Sequence, residues 1–458
     1  MGSLTSQDRI SFDAFSNIID GTLRSSKQMY NSVDPNTRCP NWDVPVASRK
    51  DLDDAVLAAQ RAYEGWRWTS WEYRCERIEQ FKEALKAYED DLIELLVRET
   101  GKPRRFAKVE ISGTYGHLDW HINLPQPRGE ELWLPTRHVR HVYVPLGVAV
   151  AICPWNFPFK LSIAKLLPAV QTGNAVIIKP SPFTPYTALK VVEIAQQIFP
   201  PGLIQALGGD DTLGPALVEH PGVHKISFTG STGVGKSIMA AAAKTLKRLR
   251  QWLPWAHFIT LARFASLERI YVHAAVYDDF LCAFVAAVKA LKVGHSDEEG
   301  VMLGPVQNQK QYDRVKDFFR DSKDNGHLFA LGNVSDGDVE SLFIDPAIIS
   351  EPPEHSMIVQ EEQFGPIVPV QRYDNVDEVI RRANASSAGL GATVFGTNST
   401  LLQEVAERLD SGNVWINSSP MVTAEAQFGG VKESGIGTEF GSLGILAYTS
   451  IKAISTAR

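Results

Sequence analysis

From Val142 onward, short runs of apolar or β-branched residues alternate with helical stretches: VYVPLGVAVAIC, AVIIKP after Thr172-Gly173-Asn174, LIQAL, then HKISFT. Runs without a polar face belong to strands buried on both sides, and a parallel sheet covered by helices is what buries them so. The fold class is therefore α/β. A second alternating series runs from Arg269 to Val414, begins with RIYVH, contains GPIVPVQRY and GATVFG, and predicts a second α/β domain. Ahead of both, strand-like runs around Phe12–Leu23 precede helical patterns over Ser48–Trp66 and Trp71–Thr100. The latter stops at Gly101-Lys102-Pro103, a glycine end signal followed by proline. The runs at 132–147 and 447–455 read as strands at the two ends of the scheme.

A chain of 458 residues that is 44% hydrophobic exceeds one ordinary core and predicts two or three domains. The formal charge of −7 argues against nucleic acid as the main partner, and the basic run Lys244, Lys247, Arg248 and Arg250 reads as the solvated end of a helix. Cys39, Cys75, Cys153 and Cys282 lie far apart, which excludes a cysteine zinc site, leaves no metal site expected and fits a reducing compartment. No apolar run approaches the roughly 20 residues that span a bilayer, and MGSLTSQDR lacks the hydrophobic region of a signal peptide. The expectation is a cytoplasmic protein with no membrane partner.

One motif admits two readings. Gly230-Ser231-Thr232-Gly233-Val234-Gly235-Lys236-Ser237 matches GxxxxGK followed by Ser, and it follows a strand and opens a helix, as a nucleoside-triphosphate P-loop does. Against that reading, no hydrophobic strand ending in Asp stands out downstream as a magnesium partner. The same turn can instead offer the unpaired N–H groups of a helix N-terminus to a dinucleotide pyrophosphate.

Six strings taken together favour the second reading: AICPWNFPF at 151–159, IIKPSPFTP at 177–185, SFTGSTGVGK at 227–236, EEQFGP at 361–366, GNVWIN at 412–417 and FGGVKESGIG at 428–437. In this order and spacing the chain resembles the NAD(P)-dependent aldehyde dehydrogenase superfamily from about Phe12 to Lys452. The resemblance implies a Rossmann-like cofactor domain over 1–128 and 148–247, an α/β catalytic domain over 248–440, and a β oligomerisation arm over 129–147 and 441–458. The arm implies a homodimer or homotetramer, since exposed strand edges seek partners. It also implies NAD or NADP as cofactor and a small aldehyde as substrate. Asn156 is then the oxyanion-hole amide, and Trp155, Lys179, Gly209, Ser231, Gly235, Glu362 and Phe364 bind the cofactor. Pro182 stands where the family often has a glutamate that selects NAD, so the repulsion against a 2′-phosphate is absent. Gly429, Gly430 and Ser434 would shape the tunnel floor, and Trp120, Ile122 and Met421 are candidate tunnel residues.

The chain departs from the family between Arg248 and Arg269, where the nucleophilic cysteine and the general-base glutamate are expected and LRQWLPWAHFITLARFASLE stands instead. Glu268 reads as a surface charge, Cys282 as a core residue of the next helix, and Cys153 as a thiol buried in its strand. Read across the twelve codon junctions from Trp255 to Leu267, the degenerate code allows GAFYNSGQVCIA, the family's nucleophile segment. The stretch is thus expected to be an out-of-frame translation, with the hidden cysteine codon straddling Phe264 and Ala265. By lineage the protein oxidises an aldehyde to a carboxylic acid. As it stands, it is expected to bind cofactor weakly or not at all and not to turn over. A catalytically silent binding or oligomer-modulating relative is the alternative, and a P-loop NTPase the third reading.

Overall fold

The computed structural model describes residues 9–252, 268–333 and 341–458. The expected frame offset at Trp255–Leu267 lies outside them. Helix α1 (Arg49–Trp66) begins at a capping box in which the Ser48 side chain accepts from the Asp51 N–H and the Asp51 side chain accepts from the Ser48 N–H. The single helix expected over Trp71–Thr100 is two, α2 (Trp71–Lys86) and α3 (Glu89–Thr100), and α3 ends at Gly101 in the left-handed conformation. Helix α4 (Arg104–Asn123), for which no sequence expectation was drawn, follows Pro103.

A mixed eight-stranded sheet forms the centre of the first unit. Its five parallel strands are Val148–Ile152, Ala175–Lys179, Ile204–Ala206, Lys225–Thr229 and Arg248–Trp252. Numbered along the chain, they lie in the order 3-2-1-4-5, the doubly wound arrangement of dinucleotide-binding sheets. The strand Arg248–Trp252, on the far side of the expected boundary at 247, thus completes the first sheet, and Gly435–Ile436 pairs antiparallel to it. Helices α5 (Pro158–Gln171), α6 (Tyr186–Ala195), α7 (Leu213–Glu219) and α8 (Thr232–Ala243) connect the parallel strands. The sheet and the helices on it share one apolar cluster that includes Ile78, Phe81, Leu96, Val150, Phe159, Ile177 and Ile226.

The opening strands Asn17–Ile19 and Thr22–Arg24 form a hairpin on the edge of this sheet. Its two-residue turn, Asp20-Gly21, has positive φ at both positions, as the right-handed twist of the flanking strands favours. A four-stranded sheet of Ile270–His273, Ile367–Tyr373, Ala347–Ser350 and Leu328–Leu331 forms the second unit, with the pair Gly391–Val394 and Asn413–Ile416 beside it in sequence. The two terminal runs meet: Thr449–Ala457 pairs antiparallel with Arg137–Pro145 along its whole length, and Glu131–Leu134 adds a third strand. No helix among the described residues is long and apolar enough to cross a membrane.

Candidate active site

In a doubly wound sheet, ligands bind beyond the carboxyl ends of the strands, at the point where strand order reverses. Here that point lies between Val148–Ile152 and Lys225–Thr229, which are paired in parallel from Ala149 to Ile152. The loop after the first of these strands carries Trp155 and Asn156, and the turn after the second carries Ser231. Lys179 is the last residue of the neighbouring strand, and Gly209 follows Ile204–Ala206. Four separate segments, carrying five of the named residues, thus converge on one rim.

Asn156 is held by its carbonyl groups and not by its amino group. Its Oδ1 accepts from the Phe157 N–H at 3.1 Å, and its backbone oxygen accepts from Lys102 Nζ at 3.0 Å. The Nδ2 group is buried and without a partner. An unmet buried donor costs about 1–3 kcal/mol unless a water or a ligand oxygen meets it. Lys102 is fixed in turn: it is ion-paired with the buried Glu110 and lies 4.3 Å from the Phe157 ring centroid. The other oxygen of Glu110 accepts from the Lys160 N–H at 3.0 Å, at the first turn of α5.

The rings of Trp155 and Phe364 meet edge to face, with centroids 5.0 Å apart, joining the first unit to the second. Phe364 holds φ at +48°, in the left-handed region that a bulky residue rarely adopts. Gln311 steadies the strained loop by donating to the Gln363 and Phe364 carbonyls at 3.1 and 3.2 Å. Gln363, buried, donates to the carbonyls of Glu268 and Ile358. Lys179 is buried, and burial pulls its pKa down, opposed mainly by Asp211 and also by Asp210. At Gly209 a β-carbon would lie 2.7 Å from Leu213 Cδ2, which excludes a side chain without a shift of that leucine. Ser231 is the N-cap of α8 and makes no side-chain cap bond, while Gly235 is buried in the first turns. Lys236, the residue a P-loop would turn onto phosphate, is exposed and ion-paired with Glu433 at 2.7 Å.

Glu268 departs from its expectation as a surface charge. It is half-buried, with Oε1 enclosed and unpartnered, as is Oε1 of Glu362. Burial pushes Glu362 up to about 8, and burial together with the Glu362 carboxyl pushes Glu268 well above the carboxylate range. Both acids therefore bind protons more tightly in the folded than in the unfolded chain, and stability falls as pH rises from the ordinary value of 4.5 through about 8. A loss of several kcal/mol between those limits is expected, about 1.4 kcal/mol for each pH unit over which one acid holds its proton only in the folded chain. Thermal midpoints across this range check it, and Glu268→Gln should flatten the fall.

The other expected residues separate. Cys153 is buried in the core, 4% exposed, and burial pushes its thiol up to about 12, so it is no ready nucleophile. Cys282 is exposed, contrary to its expected core position. Trp120 is half-buried on α4, Ile122 packs on the main core, and Met421 is exposed, its carbonyl accepting from Trp415 Nε1 at 3.1 Å. The carbonyl of Gly429 accepts from Asn413 Nδ2 at 2.9 Å, and Ser434 Oγ accepts from the Gly389 N–H at 2.8 Å. A β-carbon on Gly430 would lie 2.5 Å from the Ser434 carbonyl oxygen. These three residues hold the loop together. Among the described residues no cluster of three or more His, Cys, Asp or Glu could hold a metal ion.

The family model described as "Aldehyde dehydrogenase family" matches residues 22–252 and 263–454. The chain belongs to the aldehyde dehydrogenase family. This family member is 39% identical over 466 residues to aldehyde dehydrogenase LUC3 of Fusarium sp, covering 97% of this chain and 99% of that one. It is 32% identical to human retinaldehyde dehydrogenase 3, over 94% of this chain and 90% of the relative. Among solved structures, an aldehyde dehydrogenase from Brucella melitensis biovar abortus 2308 superposes with a TM-score of 0.92 at 29% identity, covering 99% of both chains. The NAD+ complex of a Bacillus cereus aldehyde dehydrogenase superposes at 0.90, also at 29% identity, over 97% of this chain and 96% of that one. The aldehyde dehydrogenase fold, an oxidoreductase scaffold, is thereby established for the chain. Lys102, Glu110, Gln311 and Gln363, which fix the motif residues, were not anticipated. A signal existed for one feature near them: α5 is apolar apart from Lys160, Ser162, Lys165 and Gln171, and a lysine in such a helix is buried with a purpose.

Proposed function

We propose that the Asn156 rim is the aldehyde site of an NAD(P)-dependent oxidation to the carboxylic acid, and that the chain as it stands cannot complete the reaction. The orphaned Nδ2 of Asn156 carries the reading, because a neutral donor aimed where carbonyl charge develops is what the reaction requires. The protein groups fit a dinucleotide: the Trp155 and Phe364 rings, the Lys179 ammonium, the uncapped N-terminus of α8 behind Ser231, the close approach at Gly209 and the Glu362 carboxyl. When bound, the nicotinamide would accept the hydride. The protein's own part is to hold the carbonyl oxygen at Asn156 and to keep water from the rim with the two rings. Pro182 leaves no carboxylate in its place, which admits a 2′-phosphate, whereas Asp210 and Asp211 near Lys179 oppose one. NAD and NADP are therefore both to be tested.

In a frame-restored chain, Asn156→Ala should lower kcat about 10²–10³-fold, with a smaller change in KM, as losses of single oxyanion donors do. Unchanged kcat would sink the assignment. For the chain as it stands, the buried, protonated state of Cys153 favours the second reading, a catalytically silent binding or oligomer-modulating subunit. Stable folding and co-assembly with an active relative, without turnover, would support it. The NTPase reading predicts magnesium-dependent phosphate release that Lys236→Ala abolishes, and the Lys236–Glu433 ion pair argues against it. Sequencing the transcript across the codons for Lys247 to Arg269 decides the frame: absence of TGC or TGT across the Phe264–Ala265 junction removes the offset.

A further inference from the structure

The adenosine half of the proposed dinucleotide site rests on two neighbouring strands, Ala175–Lys179 and Ile204–Ala206, both of which precede the departure at Arg248. Their pairing is parallel, with Ile178 opposite Ala206, and the Leu207 N–H donates to the Ile178 carbonyl at 3.0 Å. Lys179 and the turn Gly208-Gly209-Asp210-Asp211 therefore leave the sheet side by side. The turn is anchored from the opening hairpin, where Asn17 Oδ1 accepts from the Gly208 N–H at 2.8 Å. Lys179 is 6% exposed, and its ammonium donates to the Pro180 carbonyl at 3.2 Å, which takes one of its three N–H groups.

Two negative charges face this buried cation. Asp210 is fixed: its Oδ1 accepts from Thr212 Oγ1 at 2.6 Å and from the Thr212 N–H at 2.9 Å, and these bonds hold its carboxyl below the usual carboxylate range. Asp211 is exposed. Burial draws the Lys179 pKa down, and the opposing pull comes first from Asp211 and then, after Cys153, from Asp210. The local sum is one positive charge against two negative ones, and Pro182 adds none. A ribose diol suits that arrangement, since a hydroxyl can accept from the ammonium and donate to a carboxylate. A 2′-phosphate brings a further charge of about −1.5 to −2 in place of a donor, and meets the two acids as a like charge.

We infer that Asp210 and Asp211 select NAD over NADP, acting on the adenosine ribose beside Lys179. The inference rests on reading the rim as a dinucleotide site, and it names the cofactor and the residues that choose it. Dinucleotide sheets commonly select NAD through an acid on the 2′-hydroxyl. Here the acids stand in the turn after the neighbouring strand, beside a lysine that both ribose forms can use. Because Asp211 faces solvent, part of the discrimination is screened, and it should narrow as ionic strength rises from about 0.01 to about 0.15 M, over which the Debye length falls from about 30 to about 8 Å.

The test uses ADP-ribose and its 2′-phosphate, which lack the nicotinamide, so it requires neither turnover nor the catalytic segment. Both are titrated calorimetrically at low salt against the full chain and its Asp210→Asn, Asp211→Asn, Asp210→Asn/Asp211→Asn and Lys179→Met variants. Asparagine at 210 keeps an oxygen for Thr212, and 211 is exposed, so thermal midpoints of the asparagine variants should match the parent. ADP-ribose is expected to bind at least about 10-fold more tightly than its 2′-phosphate, as juxtaposed like charges discriminate on that scale or beyond. Each single asparagine variant should reduce the preference several-fold, and the double variant should abolish it, chiefly by tightening the 2′-phosphate. Lys179→Met should weaken both ligands. Equal binding of the two ligands by the parent, both weakened by Lys179→Met, overturns the selection and leaves the dinucleotide site standing. A preference that survives the double variant overturns the role of the two acids, and binding that Lys179→Met leaves untouched overturns the placement of the ribose. Binding of neither ligand overturns the inference and the dinucleotide reading together.

Discussion

On the proposed frame offset across Trp255–Leu267, restoring the frame together with the family's general-base segment is expected to raise aldehyde-dependent reduction of NAD+ or NADP+ by roughly 10⁴-fold or more. Loss of a nucleophile that forms the covalent intermediate removes the step on which every other group depends. Nothing in the described residues substitutes for it: Cys153 is buried with its thiol pushed up to about 12, and Cys282 is exposed on the helix Tyr277–Lys289. The comparison is made on purified chains, with absorbance at the reduced nicotinamide band as readout. Turnover by the unrestored chain that survives substitution of all four cysteines would require a different mechanism.

The second large effect is on stability. Lys165, in the middle of α5, is buried and ion-paired with Glu439, also buried, and donates to Thr229 Oγ1 at 2.7 Å. One oxygen of Glu439, Oε2, has no partner even in the intact pair. Lys165→Met leaves that carboxylate without its cation, and a loss of about 3–5 kcal/mol is expected. The double variant Lys165→Met/Glu439→Leu should recover most of it, because removing both charges removes the desolvation cost with the attraction. Denaturant midpoints of the two variants measure this. A single variant as stable as the parent would mean that Glu439 takes a proton or reaches water at little cost.

Four of the five parallel strands were legible because they are buried and written as largely apolar runs; the fifth, Arg248–Trp252, was not, since its arginines read as the solvated end of a helix and the structure puts them in a strand paired with Lys225–Thr229. The motif residues were named through the likeness of their strings to the aldehyde dehydrogenase family, and Trp155, Asn156, Lys179 and Ser231 lie just at or beyond strand ends. The break between α2 and α3 was not, since Ala87-Tyr88 contains neither glycine nor proline and Tyr88 leaves the helical region without a local signal. Helix α4 was obscured by its two interior glycines, Gly113 and Gly116, which lower helical propensity. Glu268 read as a surface charge because two adjacent-in-space acids, Glu268 and Glu362, are 94 positions apart by their numbers. Long-range burial of that kind leaves no periodicity to read. The same limit applies to Lys102 and Gln363, whose roles are to hold other residues' backbones.

The Lys165–Glu439 pair also fixes when the protein can be finished. The partners are 274 residues apart, so at about 5–20 residues per second the carboxylate leaves the ribosome roughly 15–55 s after the ammonium. Throughout that interval, closing α5 against its sheet leaves the Lys165 ammonium with Thr229 but without its carboxylate, and the edge strand Gly435–Ile436 is likewise still to come. Closure of the amino-terminal half before the last twentieth of the chain arrives therefore carries a penalty of about 3–5 kcal/mol that the finished protein does not bear.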